Sequence, residues 1–176
     1  MHLIKWVGTL ISTLIGNLAC IFLLTGCVED LNPSSKDLRE DQILTAENFT
    51  AITTLNESII LEDELLTHDA VVLYFTMWCS LCDQHMDHMR RYIIDDYPNV
   101  RFLMVDYVSG NIDQAHSSQL NSGYADLTVL VDNENALLTS FNATMASVIV
   151  IDDQNNILLN EDYKNGSRLI DTLKAL

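Results

Sequence analysis

Basic residues are scarce in this sequence. It contains 9 Lys and Arg residues against 25 Asp and Glu residues, which gives a formal net charge of −16 and an isoelectric point near 4.3. Binding to nucleic acid needs a basic face, so the composition argues against nucleic acid as a partner. The acidity fits a solvated surface, and long-range attraction of basic partners is the alternative.

Cysteine is also rare, with only Cys20, Cys27, Cys79 and Cys82 among 176 residues. A small secreted domain held together by disulfides would carry cysteines throughout its length. Here the last two cysteines stand alone with two residues between them, and the first two lie in or directly after an N-terminal apolar segment. This distribution indicates a reactive pair rather than a disulfide framework.

The N-terminal 26 residues predict an export signal. A short start containing Lys5 precedes an uncharged apolar run from Trp6 to Thr25, which ends at Gly26 and Cys27. This ending resembles the bacterial lipobox, and the resemblance implies cleavage before Cys27 and attachment of lipid to it. Two alternatives stay open. The run is long enough to cross a bilayer as an uncleaved helix, and an ordinary secretory signal would release the protein.

Residues 27–47 predict a lipidated cysteine followed by a flexible tether. The segment is polar and keeps no apolar period, with a short helix allowed over 36–44. A flexible chain of this length reaches roughly 25 Å, enough to hold a domain clear of lipid headgroups. The expected location is the bacterial cell envelope. The lipid would contact the membrane, and the domain would lie in the periplasm or extracytoplasmic space.

Residues 48–176 predict one folded domain of alternating strands and helices. Strands are expected at 49–52, 58–61, 70–77, 100–106, 127–131, 148–151 and 157–159. Helices are expected at 62–66, from 79 to 92 or 96, and at 112–120, 134–141 and 167–176, with Ser167 as the cap of the last. This order predicts an α/β fold with a central mixed β-sheet, helices on both faces and an N-terminal β-hairpin.

The most informative motif joins the central predicted strand to the helix after it. Phe75-Thr76-Met77-Trp78 leads into Cys79-Ser80-Leu81-Cys82. A CxxC pair at a strand-to-helix junction is typical of a thioredoxin-like redox site. The N-terminus of a helix presents unpaired N–H groups that stabilise a thiolate on the first cysteine. We therefore expect Cys79 to be the nucleophile and Cys82 to resolve the mixed disulfide.

These residues resemble the TlpA/ResA-like thiol-disulfide oxidoreductases, a branch of the thioredoxin superfamily. Met86, four residues after Cys82, and the stretch 149–157, an aliphatic strand running into a polar turn, also match the family's pattern. The resemblance implies a thioredoxin-like fold, an extracytoplasmic enzyme without a cofactor, and protein thiols or disulfides as partners. It also implies that Thr76, Trp78, Met145 and Ala146 line the site.

Four positions depart from the family. Ala146 stands where the family has a cis-proline, and a cis bond before alanine costs about 2.5–4 kcal/mol, so we expect a trans bond and a reshaped loop. Leu73 replaces the buried acid that thioredoxins place six residues before the first cysteine. Asp87 replaces a proline of the helix, and His85 replaces a glutamate. The family's substrate geometry and its resistance to metal binding are therefore not assured here.

Several alternatives remain open at this stage. The cysteines and His85, His88 and His116 are weak candidates for a copper or other metal site in a carrier protein, and the histidines are otherwise expected to be solvated. A degenerate scaffold that only binds partners, an inert disulfide, or a peroxidase based on Thr76-x-x-Cys79 are further alternatives. Asp106 and Asp152 are expected simply to terminate strands.

Overall fold

In the computed structural model of the chain, residues 44–176 are described. The predicted signal segment, Cys20, Cys27 and the predicted tether up to residue 43 lie outside these residues. Within the described range, no helix has the length and apolarity that are needed to cross a bilayer.

Eight strands form a single mixed sheet. In chain order they are β1 (Leu44–Thr45), β2 (Thr50–Thr53), β3 (Ser58–Ile60), β4 (Ala70–Thr76), β5 (Val100–Asp106), β6 (Thr128–Val131), β7 (Ser147–Asp152) and β8 (Asn156–Asp162). Their spatial order is β1-β8-β7-β4-β5-β6-β2-β3. Strands β4, β5 and β6 run parallel, and every other pairing is antiparallel. The expected mixed sheet and N-terminal hairpin (β2–β3) are confirmed.

Five helices cover the two faces of the sheet. They are α1 (Leu61–Leu65), α2 (Ser80–Tyr92), α3 (Ile112–Asn121), α4 (Ala136–Ser140) and α5 (Ser167–Leu173), with a 3₁₀ turn at Ile94–Asp96. Strand β4 lies at the centre, and all seven of its side chains are buried because helices lie on both sides of it. Side chains alternate along a strand, so Tyr74 faces the core beneath α2, while Leu73 and Phe75 face the core on the opposite side.

The first strand and the last helix differ from the sequence-based expectation. Leu44–Thr45, inside the predicted tether 27–47, pairs with Asn156 and Ile157 of β8, so these two residues belong to the sheet. Ser167 does not cap α5. The N-cap is Gly166, whose φ of 77° favours glycine, and the Ser167 hydroxyl donates to Asn165 Oδ1. The helix ends at Leu173, and Lys174 is its C-cap.

A matched pair of substitutions at α1 tests this packing. Leu61 is fully buried, whereas Leu66, just after the same helix, is 83% exposed. Leu61→Ala is expected to lower the free energy of unfolding by about 2–5 kcal/mol because it leaves a cavity in the core. Leu66→Ala is expected to change it by about 0.5 kcal/mol or less. Urea denaturation followed by circular dichroism measures both, and equal losses would contradict the assigned packing.

Candidate active site

The two cysteines lie where the central strand passes into α2. Strand β4 ends at Thr76, and Cys79 is the N-cap of α2 with extended backbone (φ −85°, ψ 163°). Its Sγ accepts a hydrogen bond from the backbone N–H of Cys82 at 3.2 Å. The sulfur therefore takes the place of the side-chain oxygen that usually caps a helix. It also lies at the positive end of the helix dipole.

The pair is asymmetric in exposure and in acidity. The two Sγ atoms lie 2.8 Å apart as free thiols, with Cys79 half-buried and Cys82 fully buried. Desolvation raises the pKa of the Cys79 thiol, but hydrogen bonds outweigh it and lower the pKa below its ordinary value. The donors are the Cys82 thiol and the backbone N–H groups of Cys82 and Leu81. Cys79 is thus the accessible sulfur and the one more easily deprotonated.

Trp78 is held beside the pair in an unusual conformation. Its φ is 57°, in the left-handed region that few non-glycine residues adopt. Its backbone N–H donates to Thr76 Oγ1 at 3.1 Å, and its indole Nε1 donates to Asp106 Oδ2 at 2.7 Å. Asp106 also accepts from the N–H groups of Val108 and Ser109. Asp106 does end β5, as expected, but it also anchors Trp78, which sequence reasoning missed.

The loop before β7 faces Cys79 from the other side. Met145 Sδ lies 3.6 Å from Cys79 Sγ. No cis peptide bond occurs among residues 44–176, so the bond before Ala146 is trans, as expected. Ala146 has a φ of 66°; its N–H donates to the carbonyl of Phe75, and its own carbonyl accepts from the N–H of Tyr163. These two bonds tie the reshaped loop to the sheet.

An apolar rim lies beside Cys79. We define it as Met77, Leu81 and Met145, which are 41%, 44% and 37% exposed. Met77 and Leu81 flank Cys79 in the chain, and Met145 contacts it through sulfur. Exposed large apolar side chains gathered at one place mark a surface for binding another molecule.

A tyrosine and a histidine lie beneath the buried cysteine. Tyr74 is fully buried on β4, and its hydroxyl lies 3.0 Å from Nδ1 of His85 on α2. The expectation that His85 is solvated is wrong, because its ring packs against Tyr163 with centroids 4.8 Å apart. Desolvation, followed by interaction with Cys82, raises the pKa of Tyr74. Desolvation, followed by the charge of His88, lowers the pKa of His85.

The other predicted histidines do not gather at the cysteines. His88 Nδ1 is 2.6 Å from the hydroxyl of Tyr163, and His116 lies on α3 with its Nδ1 buried and without a hydrogen-bond partner. Across residues 44–176, no three His, Cys, Asp or Glu side chains come together in a way that could hold a metal ion.

No protein-family model matches this sequence, and no curated protein matches it. Solved structures do match. One is a protein from Chlorobium tepidum named as a thiol:disulfide interchange protein, DsbE, at 19% identity and a TM-score of 0.65, covering 77% of this chain and 96% of that one. Another is the exposed lipoprotein thioredoxin Etrx1 of Streptococcus pneumoniae, at 21% identity and 0.60, covering 74% and 100%.

A third match is the peroxidoxin BcpB of Mycobacterium tuberculosis, at 16% identity and a TM-score of 0.62, covering 76% of this chain and 96% of that one. The chain has a thioredoxin-like fold. At these identities the likeness establishes the fold alone.

Placing a proline at Ala146, as in the family that the CxxC motif resembles, is expected to destabilise this domain. Proline fixes φ near −65° and has no N–H, whereas Ala146 has a positive φ and donates to Phe75. We expect Ala146→Pro to cost about 3 kcal/mol of unfolding free energy. Ala146→Gly, the control, tolerates the conformation and should stay within about 1 kcal/mol. Denaturant titration measures the free energy of unfolding of both variants. A proline variant as stable as the native chain would refute the assigned loop geometry.

Proposed function

We propose that the thioredoxin-like domain is a thiol-disulfide oxidoreductase in which Cys79 is the nucleophile and Cys82 the resolving thiol. One observation carries this proposal: an accessible thiol with a lowered pKa caps a helix and touches a fully buried second thiol. A structural disulfide needs no such asymmetry, whereas exchange through a mixed disulfide requires it.

The proposed reaction has two steps. The Cys79 thiolate attacks one sulfur of a partner's disulfide; that disulfide breaks, and the partner's other sulfur leaves as a thiolate and takes a proton from water. The Cys82 thiolate then attacks Cys79 Sγ, which forms the Cys79–Cys82 disulfide and releases the partner's second sulfur as a thiol. The partner gains two electrons and the pair loses two. The same steps run in reverse when the pair is oxidised and the partner is a dithiol.

We propose protein thiols and disulfides as the partners. The apolar rim of Met77, Leu81 and Met145 offers a surface on which an extended segment with apolar residues next to its cysteine can lie. No cofactor enters the reaction. Structures with the same fold include proteins named for thiol:disulfide interchange, which supports this chemistry for the domain.

We further propose a TlpA/ResA-like role at the bacterial cell envelope. Lipid on Cys27 and a tether ending before Leu44 would hold the domain outside the cytoplasm, where disulfide exchange takes place. A structure of similar fold is named an exposed lipoprotein thioredoxin, which supports this location. Mass spectrometry of the membrane fraction tests the anchor through a lipid-modified Cys27.

The alternatives have less support in this site. A metal carrier lacks a third His, Cys, Asp or Glu at the pair within the part of the chain that the structure describes. A degenerate scaffold would have no use for a capped thiol with a lowered pKa, and it predicts that Cys79→Ser and Cys82→Ser leave the phenotype intact.

Redox cycling is the direct test of the proposed function. In glutathione buffers of graded potential, the native chain should lose and regain two thiols together at Cys79 and Cys82, as counted by mass after alkylation. Cys82→Ser should instead accumulate a mixed disulfide on Cys79, because nothing resolves it. Failure of the pair to cycle at every accessible potential would end the proposal.

The lowered pKa of Cys79 predicts a specific pH profile. Because the thiolate reacts, alkylation of Cys79 by iodoacetamide should reach half its maximal rate at a lower pH than alkylation of an unstructured cysteine peptide measured alongside it. Cys82→Ala removes the thiol that hydrogen-bonds to Cys79, so the midpoint should move up in this variant. A native midpoint at or above that of the peptide would contradict the assigned electrostatics.

A further inference from the structure

The second step of the proposed reaction raises a question of proton transfer. Cys82 must lose its proton before it attacks Cys79, but its side chain is fully buried. The proton therefore cannot pass directly into bulk water and needs a neighbouring group that accepts it. Leu73, which stands where thioredoxins carry a buried acid, is apolar and lies in the core on the other face of the sheet from α2.

The next residue along the strand faces the correct side. Tyr74 lies in the core beneath α2, and after burial it is the nearby Cys82 that contributes most to the raised pKa of its hydroxyl. That hydroxyl lies 3.0 Å from His85 Nδ1. His85 is the third residue after Cys82, so both side chains lie on one face of α2. The Tyr74 hydroxyl thus interacts with the buried thiol and also with an imidazole.

The charge states of the two groups suit proton transfer. The raised pKa of Tyr74 keeps its hydroxyl protonated, so that it can pass a proton on while it receives one. The lowered pKa of His85 keeps the imidazole neutral near pH 7, able to accept. His85 is 7% exposed, which gives the ring a limited route to solvent.

The other titratable groups around these two are few. Tyr163 packs against His85, and His88 lies on the same helix and raises the cost of a second positive charge. Burial and then the charges of Cys82 and Cys79 raise the pKa of Tyr107 on the loop after β5, but this ring packs against Phe75 in the core on the opposite face of the sheet. The hydroxyl of Tyr163 bonds to His88, and burial alone raises its pKa, without a contribution from Cys82.

We propose that Tyr74 and His85 form a proton relay for Cys82, in place of the acid that is missing at Leu73. In the resolving step, the Cys82 S–H proton moves to the Tyr74 oxygen as the Tyr74 O–H proton moves to His85 Nδ1, and the new thiolate attacks Cys79. The imidazolium then loses a proton to water. In the reverse direction, the relay returns a proton to Cys82 as it leaves. This inference rests on the proposed function.

The two steps can be timed separately with dithiobis-nitrobenzoate, an aromatic disulfide whose released thiolate is coloured. The full chain is used with Cys20 and Cys27 replaced by serine, so that only the pair reacts. Attack by Cys79 gives a first phase that depends on reagent concentration. Resolution by Cys82 gives a second phase whose rate does not depend on reagent concentration. The two phases together release two equivalents of the coloured thiolate.

Removing the relay should slow the second phase alone. We expect Tyr74→Phe and His85→Gln each to slow it by about 100-fold, the lower end of what general acid–base catalysis contributes. In the native pair, the second phase should fall as pH drops through the lowered pKa of His85, below about 6.5, because a protonated imidazole accepts nothing. This pH inflection should disappear in His85→Gln.

Matched variants separate the relay from packing effects. Tyr124→Phe removes a buried hydroxyl that donates to Asp83 on α2 and should leave both phases unchanged.

Normal second phases and pH profiles in Tyr74→Phe and His85→Gln would overturn the relay, as would a defect confined to Tyr107→Phe. In those cases a release of two equivalents still upholds the proposed function. If Tyr74→Phe does not fold, His85→Gln and the native pH profile decide. A native pair without a second phase overturns the proposed function and the relay with it.

Discussion

The sulfur of Cys79 takes the place of a capping oxygen at the start of α2, and the chemistry of the domain depends on this one contact. A helix start leaves N–H groups without partners, and here a thiol supplies the acceptor. The same contact favours the thiolate, directs Cys79 outward and sets Cys82 one turn further in. It also requires β4 to end just before the helix, so the buried central strand fixes where the reactive sulfur lies.

Two residues with positive φ hold the surroundings of this sulfur. Trp78 and Ala146 each adopt a left-handed conformation that costs about 1–2 kcal/mol for a residue other than glycine. Both are tied to neighbouring strands, Trp78 through Asp106 on β5 and Ala146 through Phe75 on β4. The strain is local, and hydrogen bonds to the sheet oppose it. The loops around Cys79 are therefore held in place by the strands to which they are bonded.

The sequence was sufficient to predict the mixed sheet, the N-terminal hairpin and the CxxC pair at the junction of strand and helix, because each depends on local periodicity or spacing. The partners across the sheet were not predictable in this way. Asp106 reaches Trp78 over 28 residues and Tyr163 reaches His88 over 75, and no local pattern encodes such pairs. Strands β4 and β5, however, run parallel and end together. The acid that ends β5 could therefore have been predicted to lie near the tryptophan that follows β4.

The missing acid shows why matching by position misleads in a sheet. A shift of one residue along a strand moves a side chain to the other face, and in this chain Leu73 and Tyr74 belong to different cores. Leucine at the matched position therefore shows only that the face of the sheet opposite α2 is apolar. The face that meets Cys82 carries a hydroxyl, and the helix that carries Cys82 supplies the base one turn later. Neighbouring positions on β4 and α2 can thus supply a proton route, because the buried thiol requires only a proton acceptor nearby. The acceptor does not have to occupy the position of the missing acid.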